Sequence, residues 1–321
     1  MKKSKVLVPA MALLLFSTAA SITGTVAWFS STRVFDTSTG DFEVAKLDGN
    51  LACTITPLIG TSVSGTAVNL APTSPATKLV LGDASFDHTQ KKLYTDTDQA
   101  GTYELLDTMA AADPAKNGFV AGSNAAKWKY STVGTTDYYY AVAWNLQFSY
   151  NFVAEKKGMN VFFSINDSTM TPETPTGTTA HDSGNDTAKG FRIAFLSQNK
   201  AKVWAKLCDH KSREYDSSAS SWKDAADYTP TYVNSENTAT GAYSGDFIDA
   251  SSNLARATDS TPSQTSRLDY LGTIALNEGQ TETLTVTCVA WYEGTDPNVV
   301  NESTMRKVRT SMHFYACQAN A

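Results

Sequence analysis

The residues with chemical potential are few and scattered along the chain. Four histidines, His88, His181, His210 and His313, stand apart from one another. None belongs to an H-E-x-x-H, the spacing that sets two imidazoles one helical turn apart around a metal with a carboxylate base between them. His181-Asp182 and Asp209-His210 fall in polar stretches and read as solvated loop residues. Serine, histidine and aspartate are all plentiful, but no G-x-S-x-G raises a serine on a strand-to-helix elbow. Asp96, Asp98 and Glu104 around Gly101 bring carboxylates close in sequence, on a spacing that fits no standard calcium loop; an acidic turn is the plainer reading. Glu293-Gly294-Thr295-Asp296-Pro297 offers two carboxylates to a cation or a sugar, yet glycine and Asp-Pro are also what a tight turn needs. Cys53, Cys208, Cys288 and Cys317 are separated by 155, 80 and 29 positions, far from any zinc pattern. Three disulfide pairings and buried free thiols all stand open. No catalytic, metal-binding or cofactor-binding residue is assigned, and no cofactor is expected.

Charge and composition narrow the field further. There are 26 basic residues against 32 acidic ones, and no Lys/Arg cluster of useful size follows residue 5. Neutralising phosphates demands a basic face, so nucleic acid is not an expected partner. Thr, Ser, Val, Tyr, Phe and Trp are abundant while helix-building runs are few, which points to an all-β body with long polar loops.

The first residues have the layout of a secretory leader: a basic cluster at Lys2, Lys3 and Lys5, an apolar run from Val6 to about Ala20, then small residues to Thr25-Val26-Ala27. The run is short for a bilayer span, so cleavage before Trp28 is expected, with membrane contact only through the leader before the cut. Removing residues 1–27 takes the formal charge from −6 to −9. Residues 28–321 are then expected to form one sandwich domain, with insertions at about 60–130 and 209–266.

Its strands are read from period-two alternation. Phe42–Leu47 followed by Asp48-Gly49-Asn50 predicts a hairpin with Leu51–Leu58 as partner. Tyr138–Tyr150 carries Trp144, Leu146, Phe148 and Tyr150 on one face; exposed, these rings would make a carbohydrate platform, and alternating in a sandwich they make core. Val161–Ile165 reads as a strand buried on both faces, Phe191–Leu196 with Ala201–Ala205 as a hairpin, and Leu268–Leu276, Leu284–Tyr292 and Arg309–Cys317 as further strands. A short helix is predicted at Tyr103–Ala112, and exposed loops over 166–189 and 209–266.

Three segments together resemble one family, the camelysin and TasA-type exported proteins of Gram-positive bacteria. They are the leader junction Gly24-Thr25-Val26-Ala27-Trp28-Phe29-Ser30-Ser31-Thr32-Arg33 with the alternating Gly40–Leu47 after it, the strand ending Val289-Ala290-Trp291-Tyr292-Glu293-Gly294-Thr295-Asp296-Pro297-Asn298, and the terminal Lys307–Phe314. The match covers the two ends, about a third of the chain. What it implies is a jelly-roll-like antiparallel β-sandwich, secreted to the cell surface or matrix. Some relatives build fibres in which an N-terminal segment supplies a strand to the next subunit, and part of the family has been catalogued as metallopeptidases. The large insertions here depart from the small fibre-forming members.

The leading expectation is thus a structural or assembly protein of the envelope or matrix, whose partner is itself, as a homopolymer, or another matrix or surface protein. Strand exchange would join the copies, through main-chain hydrogen bonds at a sheet edge. Trp28, Phe29, Val34 and Phe35 are the candidate assembly residues, because they leave an apolar tail that is either donated to a neighbour or packed on its own subunit. A monomeric adhesin or glycan-binding protein, and a secreted metallopeptidase, are the alternatives.

Overall fold

Alternation of large and small side chains sets the framework. In the strand Ala141–Asn151, Val142, Trp144, Leu146, Phe148 and Tyr150 point to one face and are buried, while Ala141 and Ala143 on the other are small enough to let a further layer approach. Thr281–Tyr292 does the same with Leu284, Val286, Cys288 and Ala290 against Val289 and Trp291. Ala141–Trp144 and Leu284–Tyr292 are therefore buried on both faces, while Asn145, Gln147 and Ser149 are half-buried.

The computed structural model describes residues 33–36, 51–64, 67–70, 84–96, 102–113, 118–133, 136–151, 158–173, 189–197, 200–208, 211–216, 218, 221–227, 230–234, 240–243, 246–248, 268–275, 281–296, 299 and 307–318. Among them two six-stranded sheets form an all-β sandwich. Sheet I runs, in spatial order, Leu268–Ile274, Met159–Glu173, Lys307–Gln318, Arg33–Asp36, Ala67–Leu70, Thr61–Ser64; sheet II runs Leu51–Ile59, Ala141–Asn151, Thr281–Tyr292, Phe191–Ser197, Lys200–Trp204, Phe247–Ile248. Neighbours are antiparallel except Arg33–Asp36 on Lys307–Gln318 and Phe247–Ile248 on Lys200–Trp204. Rings knit the sheets together: Phe163 of sheet I lies 4.8 Å from Phe195 and 4.9 Å from Trp204 of sheet II, and Phe148 of sheet II lies 5.2 Å from Phe314 of sheet I. Such contacts add about 0.5–1.5 kcal/mol each beyond the area they bury.

The chain passes from one sheet to the other at Gly60. Its φ of +59° suits glycine, and a Cβ there would lie 2.9 Å from both the Tyr139 ring and Val142 Cγ1. Thr61 clasps the corner, accepting the Leu58 N–H and donating to the Ala143 carbonyl. Gly60→Ala is expected to cost about 1–2 kcal/mol for the left-handed backbone alone, read as a lower urea midpoint at unchanged slope.

The outer face of sheet II is covered by the two insertions. Phe86, Leu93, Met109, Phe119 and Trp128 from the first, and Tyr232 and Tyr243 from the second, pack on Ala141, Ala143, Ala194, Leu196, Val203, Val289 and Trp291 in a single second core. The helix predicted at Tyr103–Ala112 is two strands instead, Glu104–Thr108 and Ala110–Asp113. Asp107 explains the difference: its buried carboxylate accepts the N–H groups of Thr108, Gly122 and Asn124 and the Trp128 indole at 2.7 Å, a set that a local helix would not bring together. The loop expected over 166–189 is also corrected at its start. Met159–Glu173 continues as strand through a register shift between Ser164 and Thr169, and residues 169–173 pair with 307–311. Residues 209–266 hold the hairpins Lys211–Asp216 with Ser221–Asp227 and Thr231–Val233 with Thr240–Ala242.

The other strands lie where alternation places them. Val161 to Ile165 are all buried, and Met312, Phe314 and Ala316 face the core while Ser311, His313 and Tyr315 do not. Leu51–Ile59 pairs with Ala141–Asn151; its expected hairpin partner, 42–47, lies outside the described residues.

Candidate functional site

The N-terminal strand is the first candidate. Trp28 and Phe29 lie outside the described residues, and Val34 and Phe35 fall in Arg33–Asp36. That strand is wedged between two others of its own chain. On one side it runs parallel to the terminal strand, Phe35 opposite Thr310 and Asp36 opposite Ser311. On the other it is antiparallel to Ala67–Leu70, with Arg33 opposite Leu70 and Asp36 opposite Ala67. The hairpin of Thr61–Ser64 and Ala67–Leu70 thus joins sheet I through this strand. Arg33–Asp36 is therefore paired on both edges within its own chain.

The second candidate is Glu293–Asp296, where the Trp291 strand ends. The backbone turns here as its glycine suggests, with the Asp296 N–H donated to the Glu293 carbonyl. Its two carboxylates do not face solvent. Asp296 Oδ2 accepts from Arg192 Nη2 at 2.5 Å, with both side chains fully buried. Glu293 accepts from Trp291 Nε1 at 2.8 Å, from the Thr295 hydroxyl at 2.9 Å and from the Tyr243 hydroxyl at 3.4 Å. Burial pushes the Glu293 carboxyl above its ordinary range, opposed by the hydrogen bonds from Ser85 and Trp291, the Arg192 charge and the bond from Thr295. The segment is a buried polar knot tying both insertions to sheet II. Arg192 was invisible to sequence reasoning, since it looks like an outward-facing charge within an apolar strand.

A third group centres on His88, whose ring forms a triangle with those of Tyr232 (5.0 Å) and Tyr243 (5.4 Å), themselves 4.9 Å apart. Its Nε2 is 3.2 Å from Asp246 Oδ2, so the first insertion is linked to the second. Burial lowers the imidazole below its ordinary 6.5, outweighing the hydrogen bond and charge of Asp246 and the charge of Asp87; Lys91 adds to the lowering. The folded chain takes up this proton less readily than the unfolded one. The contribution of His88 is therefore whole above 6.5 and lost as pH falls through the lowered folded value. Expected is a melting temperature that drops less for His88→Phe than for the wild type between about pH 7 and pH 5, followed by calorimetry.

The remaining sequence candidates separate. His181, His210 and Asp98 lie outside the described residues; His313 is on the outer face of sheet I, its Nε2 3.4 Å from the Ser311 hydroxyl. Asp96 is buried and Glu104 exposed. Among the described residues no group of three or more His, Cys, Asp or Glu side chains converges to hold a metal ion. Cys53 and Cys288 are free thiols. Burial pushes Cys53 to about 12 and Cys288 well above its ordinary value, with the Cys53 charge adding to the latter, so neither supplies a thiolate nucleophile. Trp144, Phe148 and Tyr150 are core and offer no platform to a sugar. Among the described residues no helix is long and apolar enough to cross a membrane.

Compared with known proteins, the chain matches no family model, no curated protein and no solved structure. Its class is defined by its own architecture, an all-β sandwich with a second core on one face.

Proposed function

We propose that this chain is an exported structural protein of the bacterial cell surface or extracellular matrix, and that it assembles with copies of itself by exchanging its N-terminal strand. The seat of Arg33–Asp36 carries this reading. A four-residue strand fills a gap between the terminal strand and Ala67–Leu70, and its pairing consists of main-chain hydrogen bonds in fixed register. The same strand from another copy would make the same bonds, so the gap is a socket that either copy's tail can occupy. The leader-like first 27 residues, the resemblance at both chain ends and the jelly-roll connectivity that goes with it belong to the same reading.

Electron microscopy with size-exclusion chromatography tests it, on protein beginning at Trp28 and on a form beginning after Asp36. The longer form is expected to give filaments or large oligomers, and the shorter form none. A peptide carrying residues 28–36 is expected to bind the shortened form and to block growth of the longer one. If both forms stay monomeric at high concentration, strand exchange loses its support and a monomeric adhesin becomes the better reading.

A further inference from the structure

Lys202, on the Lys200–Trp204 strand of sheet II, and Asp269, on the Leu268–Ile274 strand of sheet I, meet where the two sheets come together. Lys202 Nζ is 3.8 Å from Asp269 Oδ1, and the two side chains are 16% and 5% exposed. A second carboxylate completes the group: Asp246 Oδ1 is 3.7 Å from the same Nζ, while its Oδ2 is 3.2 Å from His88 Nε2. Asp269 Oδ2 is buried and has no hydrogen-bond partner among the described residues. Half-satisfied, a largely buried ion pair is a costly arrangement, and a neutral amide at the same place costs less.

An amine, a buried carboxyl and a second carboxylate able to carry protons are the parts of an amide condensation. We propose that Lys202 and Asp269 become joined by an intramolecular isopeptide bond linking sheet II to sheet I, with Asp246 as the proton carrier. The neutral Nζ attacks Cγ of the protonated Asp269 carboxyl and the N–C bond forms. Asp246 takes a proton from the nitrogen and passes it to the departing hydroxyl, the C–O bond breaks, and one water leaves. Counted from ammonium and carboxylate, the products are an amide and water, so no oxidant, reductant or co-substrate is required. The electrophile must be the protonated acid, and burial holds the Asp269 carboxyl up at about 6, against the pull of Lys202, with Asp246 raising it further and Lys200 lowering it. Asp246 is 43% exposed, so it can exchange protons with solvent, and enforced proximity of Lys202 and the buried Asp269 supplies the rest of the driving geometry. The bond closes a loop from 202 to 269 that contains the whole of the second insertion, and so restrains the unfolded chain as a disulfide does.

Intact-mass spectrometry and peptide mapping of the full chain test this, with K202R, D246A and D269N alongside. The wild type is expected to be lighter by one water than its residues require, and to yield a branched peptide containing both Lys202 and Asp269. K202R and D246A are expected at full mass, and D269N to lose one ammonia in place of water. Because mass is read on the denatured chain, a poorly folded variant does not obscure the wild-type result. Linear peptides for both residues in a wild-type chain of full mass would overturn the proposal, and a crosslinked D246A would overturn the role given to Asp246.

Discussion

Asp296→Ala is expected to lower stability by about 3–5 kcal/mol, because it leaves the fully buried Arg192 guanidinium without its counter-charge. The same loss is expected of Arg192→Ala, which strands the carboxylate. Arg192 also donates to the Lys189 carbonyl, so the fully buried guanidinium is held from two sides. Replacing both partners together, as Arg192→Met with Asp296→Leu, is expected to recover much of the deficit, since apolar side chains of similar volume leave no charge behind. Urea unfolding of the two single variants and the double variant closes the cycle. Additive losses would mean that the pair is not coupled and that the packing around each residue sets its cost.

Trp291 is the second position of large effect. It is fully buried, and its ring lies 5.4 Å from Phe86 while its indole N–H satisfies Glu293. Trp291→Ala is expected to cost about 3–5 kcal/mol through the cavity it leaves between sheet II and the first insertion. Trp291→Phe keeps most of the packing but withdraws a donor from a buried carboxylate, at about 1–3 kcal/mol. The two losses differ in pH dependence. With fewer hydrogen bonds the folded Glu293 holds its proton still more tightly than the unfolded residue, so the Trp291→Phe deficit is expected to shrink as pH falls toward the ordinary 4.5. The Trp291→Ala cavity term is expected to persist at every pH. Thermal melts of both variants across an acidic series distinguish them.

The fold was legible wherever one face of a strand is apolar at period two. Phe191–Leu196 and Ala201–Ala205 are strands within one residue of where alternation puts them, Leu284–Tyr292 is one that begins three residues earlier at Thr281, and Tyr138–Tyr150 is split, Tyr138 and Tyr139 ending the separate strand Thr136–Tyr139 and the rest lying in Ala141–Asn151. The run Val161–Ile165 was legible as doubly buried because a strand with no polar face needs cover on both sides. Tyr103–Ala112 was misread for lack of local information. What makes it extended is Asp107, whose partners are supplied from residues 122, 124 and 128. The polar groups failed for the same reason on a longer scale. Arg192 meets Asp296 across 104 positions and His88 meets Asp246 across 158, and no spacing rule reaches that far. In the Glu293–Asp296 segment the turn could be read from glycine and Asp-Pro, but not the burial of its carboxylates.

The position of Arg33–Asp36 also bears on the order in which the molecule forms. Phe35 pairs with Thr310, so the strand that leaves the ribosome early has its parallel neighbour about 275 residues later, the longest closure in sheet I. Contacts of that separation form late and slowly. Until the last strand arrives, sheet I has an open seam and the early segment is seated only on one side, against Ala67–Leu70. Under the strand exchange proposed above, two unfinished copies close together share that interval, and the strand of either fits the seam of the other.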